Sequence, residues 1–182
     1  MTSSTSTPAE ALAEAKKFIG VESPVLSGRY PVEYDPIRRY CAAADDDNPL
    51  FLDPGYAATT RYGDVICPPL FVGYFAVPNG WPPVSDAPDE QNGAGTLWAS
   101  APKVPTPGTR PINLSTEYEL LRPVKVGERL SVSTRFADVY IKPIRIDENA
   151  FWRVTERTIR TADGEVVAII RNTGITYKEP ER

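Results

Sequence analysis

Ala44-Asp45-Asp46-Asp47-Asn48-Pro49-Leu50-Phe51-Leu52-Asp53-Pro54 is the stretch around which the rest of the chain is organised. Its centre is an Asp-x-Asn-Pro-Leu turn, and capped helices are predicted on both sides of it. Upstream, Asp35-Pro36 opens a helix that runs through Ile37, Tyr40 and Ala44, since an Asp cap followed by a φ-fixed proline suits a first helical turn. Downstream, Asp53-Pro54 repeats the signal for a short helix through Tyr56 and Ala57, closed by Gly63. Next comes Ile66-Cys67-Pro68-Pro69-Leu70-Phe71. The two prolines pre-set a helix through Leu70, Phe71, Tyr74 and Phe75 that is apolar almost all round, and an element of that composition expects burial.

The flanks supply the rest of an α+β fold. Residues 1–7 read as a disordered Ser/Thr-rich tail, and Thr7-Pro8 starts a helix over 8–20 that Gly20 stops. Val25 to Glu33, with Tyr30 and Val32 alternating with polar residues, reads as a first strand. Residues 77–110 carry seven prolines and four glycines with no sustained period, which marks an insertion that serves as a lid or partner contact or is simply floppy. From Ile112 onward strands dominate. Ile112, Leu114, Thr116, Tyr118 and Leu120 alternate with polar residues, as in a half-buried strand, and Leu130 to Phe136 alternates again. Asp163-Gly164 is a hairpin signal, and Val166 to Ile170, apolar on both faces, suits a central strand. With no internal repeat, residues 21–178 form one domain, and 179–182 are a tail.

A chain of 182 residues with 41% hydrophobic content supports one well-buried core. The net charge of -4 and pI of about 5.0 offer no basic field for a phosphate backbone, so nucleic acid is not an expected partner. No apolar run is long enough to span a membrane and the N-terminus lacks a signal-peptide layout, which together predict a cytoplasmic protein. Cys41 and Cys67 stand apart and read as buried free thiols. The count of His is 0, so no His-based triad, zinc site or general base can be completed within this chain. No cofactor and no metal site is expected.

The Asp46 turn, the helix order and the segment Tyr62-Gly63-Asp64-Val65-Ile66-Cys67-Pro68-Pro69 resemble the MaoC-like dehydratase and (R)-specific enoyl-CoA hydratase family, over about Gly28 to Tyr177. The resemblance implies a single hot-dog fold, an antiparallel sheet wrapped around a central apolar helix. In catalytic members the turn reads roughly Gly-Asp-x-Asn-Pro-Leu-His. Their Asp and His activate one water for addition to an enoyl thioester, and the N-H of a glycine in a His-Gly pair at the central helix polarises the thioester carbonyl. On this sequence the Asp falls on Asp46, the Asn on Asn48, the Pro on Pro49 and the Leu on Leu50, but the His position is Phe51. The His-Gly pair falls on Pro68-Pro69, and Pro69 has no N-H to donate.

The chain thus resembles the family's degenerate N-terminal-type members, which pair with a His-bearing hot-dog subunit. That implies a non-catalytic, tunnel-shaping subunit of a heteromeric enoyl-CoA hydratase or dehydratase acting on fatty-acyl or steroid side-chain CoA thioesters. Pro49, Leu50, Phe51, Pro69, Leu70, Phe71 and Tyr74 would line the acyl site or an ordinary core. Arg122, Lys125 and Arg129 would meet CoA phosphates or stand as solvated charges. Two alternatives are a hot-dog acyl-CoA thioesterase using Asp46 or Asp47, and a non-enzymatic acyl-CoA- or lipid-binding homodimer.

Overall fold

Five strands form one antiparallel sheet in the computed structural model, which describes residues 7–77 and 106–179. The expected tail at 1–7 and insertion at 77–110 lie almost wholly outside those residues, as does most of 179–182. The helices are α1 (Pro8–Lys16), α2 (Tyr34–Ala44), α3 (Pro49–Leu52), α4 (Pro54–Thr59) and α5 (Val72–Ala76), the last preceded by a 3-10 turn, Pro69–Phe71. The strands are β1 (Leu26–Ser27), β2 (Arg110–Leu120), β3 (Leu130–Ile141), β4 (Phe151–Thr161) and β5 (Val166–Tyr177), in sheet order β1-β3-β4-β5-β2. This α+β architecture is the hot-dog.

Local signals set several boundaries. Thr7 and Glu10 form a reciprocal capping box at the start of α1. Asp53 caps α4, its Oδ1 accepting the Tyr56 N–H at 3.0 Å, and α4 ends at Thr59, before Gly63. The β4–β5 hairpin closes where expected, with Gly164 at φ +85 and Gly164 N–H donating to Thr161 O at 3.0 Å. Asp35 is not the cap of α2. The helix begins one residue earlier, and the Asp35 carboxylate instead accepts from Arg38 at 2.8 Å and Arg39 at 2.7 Å within the first turns.

The helix expected over 8–20 ends at Lys16, with Lys17 as its cap, short of Gly20, and three further expectations change. The strand foreseen over Val25 to Glu33 is only Leu26–Ser27. Gly28 permits a close approach just beyond it: a β-carbon would overlap the Phe75 carbonyl oxygen and come within 3.0 Å of Leu130 O, so its backbone meets those of Phe75 and Leu130 with no side chain between them. Second, β2 is not half-buried. It is an edge strand exposed along its length apart from half-buried Tyr118, and a bulge between Asn113 and Ser115 breaks the alternation that linked Ile112 to Leu120. Third, the central helical segment is short and buries one side only. Val72, Phe75 and Ala76 join the core, while Leu70 and Tyr74 are 59% and 45% exposed.

One apolar cluster holds the helices on the sheet, with Ile37 and Cys41 from α2, Phe51 from α3, Val72 and Phe75 from α5, and Val132, Ile159 and Ile170 from the strands. A smaller cluster seats α1, through Ala15, on Val139 and Phe151. The two sheet edges differ. Backbone bonds from Gly20 to Phe136 O (2.9 Å), Ser23 to Thr134 O (2.8 Å) and Gly28 to Leu130 O (2.8 Å) cover β3; among the described residues nothing pairs with the outer side of β2.

A candidate cleft between the Asp46 turn and the central helix

α2 ends at Ala44 and is capped by Asp45, whose φ of 53 is left-handed and turns the chain sharply. Asp46 N–H then returns to Cys41 O at 2.9 Å. The Asp46 carboxylate accepts the Asn48 N–H at 3.1 Å and the Asn48 side chain accepts the Leu50 N–H at 3.0 Å. Asn48 is therefore the cap of α3 with Pro49 at its first position. This nested pair of side-chain bonds is the physical reason for the Asp-x-Asn-Pro spacing.

Across from this turn lies the start of the central helix. Tyr40, Ala44 and the Asp45–Asp47 run form one wall, and Pro68, Pro69 and Leu70 the other, of a cleft of about 440 Å³. The two stretches that the sequence singled out thus face each other. Asp46 is half-buried there, while Asp45 and Asp47 are exposed.

Phe51 does not join the cleft. It is 7% exposed and packs in the main core. Leu50 is half-buried against the same core, and its carbonyl accepts the Ile66 N–H at 3.3 Å. Pro49 is exposed at the start of α3. Pro69 and Leu70 line the cleft directly. Phe71 stands behind them, stacked between Tyr40 at 4.4 Å and Tyr74 at 4.7 Å. Tyr74 itself lines a separate small hollow with Arg29, Tyr30 and Glu33. Tyr40 is the residue that sequence reasoning assigned only to helix packing; its stacking partner is far off in the chain, so no local pattern marks it.

The chemistry on the cleft walls is sparse. Asp46 has no imidazole beside it, because the chain has none. The Pro69 nitrogen carries no hydrogen. Burial, together with the nearby Asp46 charge, pushes the Cys41 thiol above its ordinary value, and burial pushes Cys67 well up, so neither is a ready nucleophile at neutral pH. Among the described residues no cluster of three His, Cys, Asp or Glu side chains could hold a metal ion, and no helix is long and apolar enough to cross a membrane.

A second groove, of about 580 Å³, lies beside the Arg122–Glu128 turn. Arg122 is already bound there, to Glu128 at 2.8 Å and Glu165 at 2.9 Å, and those bonds raise its guanidinium pKa further. Burial opposes ionisation of Glu128, yet Arg122 and the Lys125 N–H hold its carboxyl below the ordinary value. Lys125 lines this groove and Arg129 is exposed on the adjoining turn.

A family model described as the FAS1-like dehydratase domain region matches residues 17–170. The chain belongs to that family. This FAS1-like dehydratase chain has the fold of solved MaoC-like dehydratases and (R)-hydratases. A relative, the UPF0336 protein of Streptomyces avermitilis, is 28% identical over 128 residues, 70% of this chain and 75% of the relative. Among solved structures, a chain of the ChsH1-ChsH2 complex from Mycobacterium tuberculosis superposes with a TM-score of 0.69 at 18% identity, covering 94% of this chain and 96% of that one. A chain of the HadBC (3R-hydroxyacyl-ACP dehydratase) complex from the same organism gives 0.57 at 16% identity, over 87% and 98%. At these identities the likeness is one of fold.

Proposed function

We propose that this FAS1-like dehydratase chain is the non-catalytic subunit of a heteromeric enoyl-CoA hydratase or dehydratase in the cytoplasm. It shapes the acyl tunnel for a fatty-acyl or steroid side-chain CoA thioester, and a His-bearing hot-dog subunit supplies the acid and base. One observation carries this reading: the cleft between the Asp46 turn and Pro68-Pro69 offers the Asp45–Asp47 carboxylates and the Tyr40 phenol but no imidazole to work with Asp46, and Pro69 offers no N–H. Hydration needs a base near its working pKa and a preorganised donor for the enolate-like oxygen, and in this reading the partner subunit supplies both.

Support comes from the side chain of Leu70, exposed on the cleft wall, and the exposed ring of Tyr74 on the same helical segment, and from the β2 edge, with whose outer side nothing pairs among the described residues. Two of the fold's neighbours are themselves chains of heteromeric complexes. In the proposed assembly Leu70, Phe71 and Tyr74 form tunnel wall, while Phe51 braces that wall from the core.

The test is made in the complex co-expressed with a His-bearing hot-dog neighbour. Replacing that neighbour's motif His by Ala is expected to abolish hydration, and Asp46→Asn in this chain to leave it within a few-fold of the parent. Loss of activity on Asp46→Asn with the fold intact would contradict the proposal. Asp46 and Asp47 on the cleft wall also give the thioesterase alternative a foothold; acyl-CoA hydrolysis by this chain alone, abolished by Asp46→Asn or Asp47→Asn, would favour it.

A further inference from the structure

The β2 edge carries chemistry that the cleft does not use. Leu121 N–H donates to Val167 O at 2.9 Å. Residues of an antiparallel ladder face their paired strand alternately, so counting back from Leu121, Glu119 and Glu117 bond to β5. Thr116, Tyr118 and Leu120 then turn their N–H and C=O groups outward. The bulge between Asn113 and Ser115 separates a short ladder over Arg110–Asn113 from the longer regular one over Ser115–Leu120. Any strand that extends the sheet here meets Thr116, Tyr118 and Leu120 with its backbone. Its other residues face Glu117 and Glu119 in non-hydrogen-bonded pairs, where Cα atoms are ~4.5 Å apart and side chains are closest.

Arg110 at the start of β2 is held by Glu179 at 2.9 Å, and beyond the bulge the charge is one-sided. Ser115–Leu120 holds two carboxylates and no cation. Glu119 is matched by Arg171 at 3.0 Å. Arg171, opposite Glu117 on β5, is also engaged by Glu156 at 2.9 Å. Exposed Glu117 has no ion-pair partner among the described residues. A second copy of this chain uses the regular ladder most fully when the two-fold axis falls on Glu117 or on Tyr118. The first register sets Glu117 against Glu117, and the second sets Glu117 against Glu119 twice. Like charges directly opposite on one face disfavour pairing.

We infer that the β2 edge is a partner-selecting surface: it takes the edge strand of a second hot-dog chain bearing Lys or Arg opposite Glu117, and disfavours another copy of itself. That the partner is a hot-dog chain rests on the subunit reading above. The charge selection does not.

The test uses the full chain as its own probe. Self-association of the wild type, Glu117→Gln, Glu117→Lys, and an equimolar mixture of wild type with Glu117→Lys is measured by sedimentation velocity at about 0.05 M and about 0.5 M salt. Wild type is expected to associate most weakly, and Glu117→Gln more tightly. One species carrying Lys at this position is expected to be about five- to tenfold tighter than wild type, with the gain shrinking at high salt. Tightening only in the mixture places the two-fold on Glu117; tightening of Glu117→Lys alone places it on Tyr118. Matching thermal melts check that the exposed substitutions leave the fold intact. Association that ignores the charge at Glu117, or monomers throughout, overturns the inference, whatever the hydration assay gives.

Discussion

Placing a histidine at the family's motif position, Phe51→His, is expected to damage the fold without creating a hydratase. Phe51 is 7% exposed and packed in the main core, away from the cleft walls. Burying a phenylalanine side chain is worth ~1.5–3 kcal/mol, most of which an imidazole forfeits. A buried imidazole nitrogen left without a partner adds a penalty of ~1–3 kcal/mol. The sum is a loss of about 3–5 kcal/mol, a large share of the ~5–15 kcal/mol that holds a typical domain. For a chain of this length each kcal/mol moves the melting temperature by ~2–4 °C, so a fall of about 6–20 °C is expected.

Circular-dichroism melts read the first part, and loss of the conjugated thioester absorbance of crotonyl-CoA reads the second. Activity is expected to stay at the wild-type background, because Pro69 still offers no N–H to the thioester oxygen. An unchanged melting temperature would show that the ring is not core. Hydration by the single chain above the parent's level would refute the reasoning outright, since it would put the new imidazole in the cleft and make Pro69 immaterial.

Other perturbations probe the frame around the cleft. Gly28→Ala forces the Phe75 carbonyl and its neighbours apart and should cost ~1–3 kcal/mol in urea unfolding, as overpacking does; a neutral result would mean that the crossing at Phe75 is looser than it stands. Glu128 has a folded-state pKa below its ordinary 4.5, so the unfolded chain binds more protons in that range and stability rises with pH. Its contribution is complete above 4.5 and is lost as the pH falls through the lowered value; Glu128→Gln should lower the melting temperature at pH 7 and flatten that acid limb, and an unaltered limb would remove Glu128 as its source. Cys41 and Cys67 are buried with raised pKa values, so alkylation at pH 8 should be at least about tenfold slower in the folded chain than in urea. Equal rates would mean that one thiol is accessible.

What could be read from the sequence was local. Thr7-Pro8, Asp53-Pro54 and Asp163-Gly164 act within one turn of the chain, and each sits where its own side-chain or backbone bonds demand. Asp35-Pro36 looked like the same signal, but a carboxylate in the first helical turn near Arg38 and Arg39 is as content inside the helix as at its cap. β2 was misread because period-two alternation states only which residues share a face. Whether a neighbour covers that face is a tertiary fact, and the bulge at Asn113 changes even the sharing. The opposition of Asp46 to Pro68-Pro69 was legible only through the family resemblance. The seating of Phe51 in the core, and of Tyr40 on the cleft, depends on how α2 and α3 cross and leaves no mark in the pattern.

Hydration of an enoyl-CoA by the purified chain, alone and after co-expression with a His-bearing hot-dog neighbour, bears most directly on the proposed role. Turnover only in the mixture is the expected result, with the acid and base on the neighbour and the tunnel wall on this chain. Turnover by this chain alone would contradict it, and would assign to Asp46 the proton transfer that a chain without histidine is here held to lack.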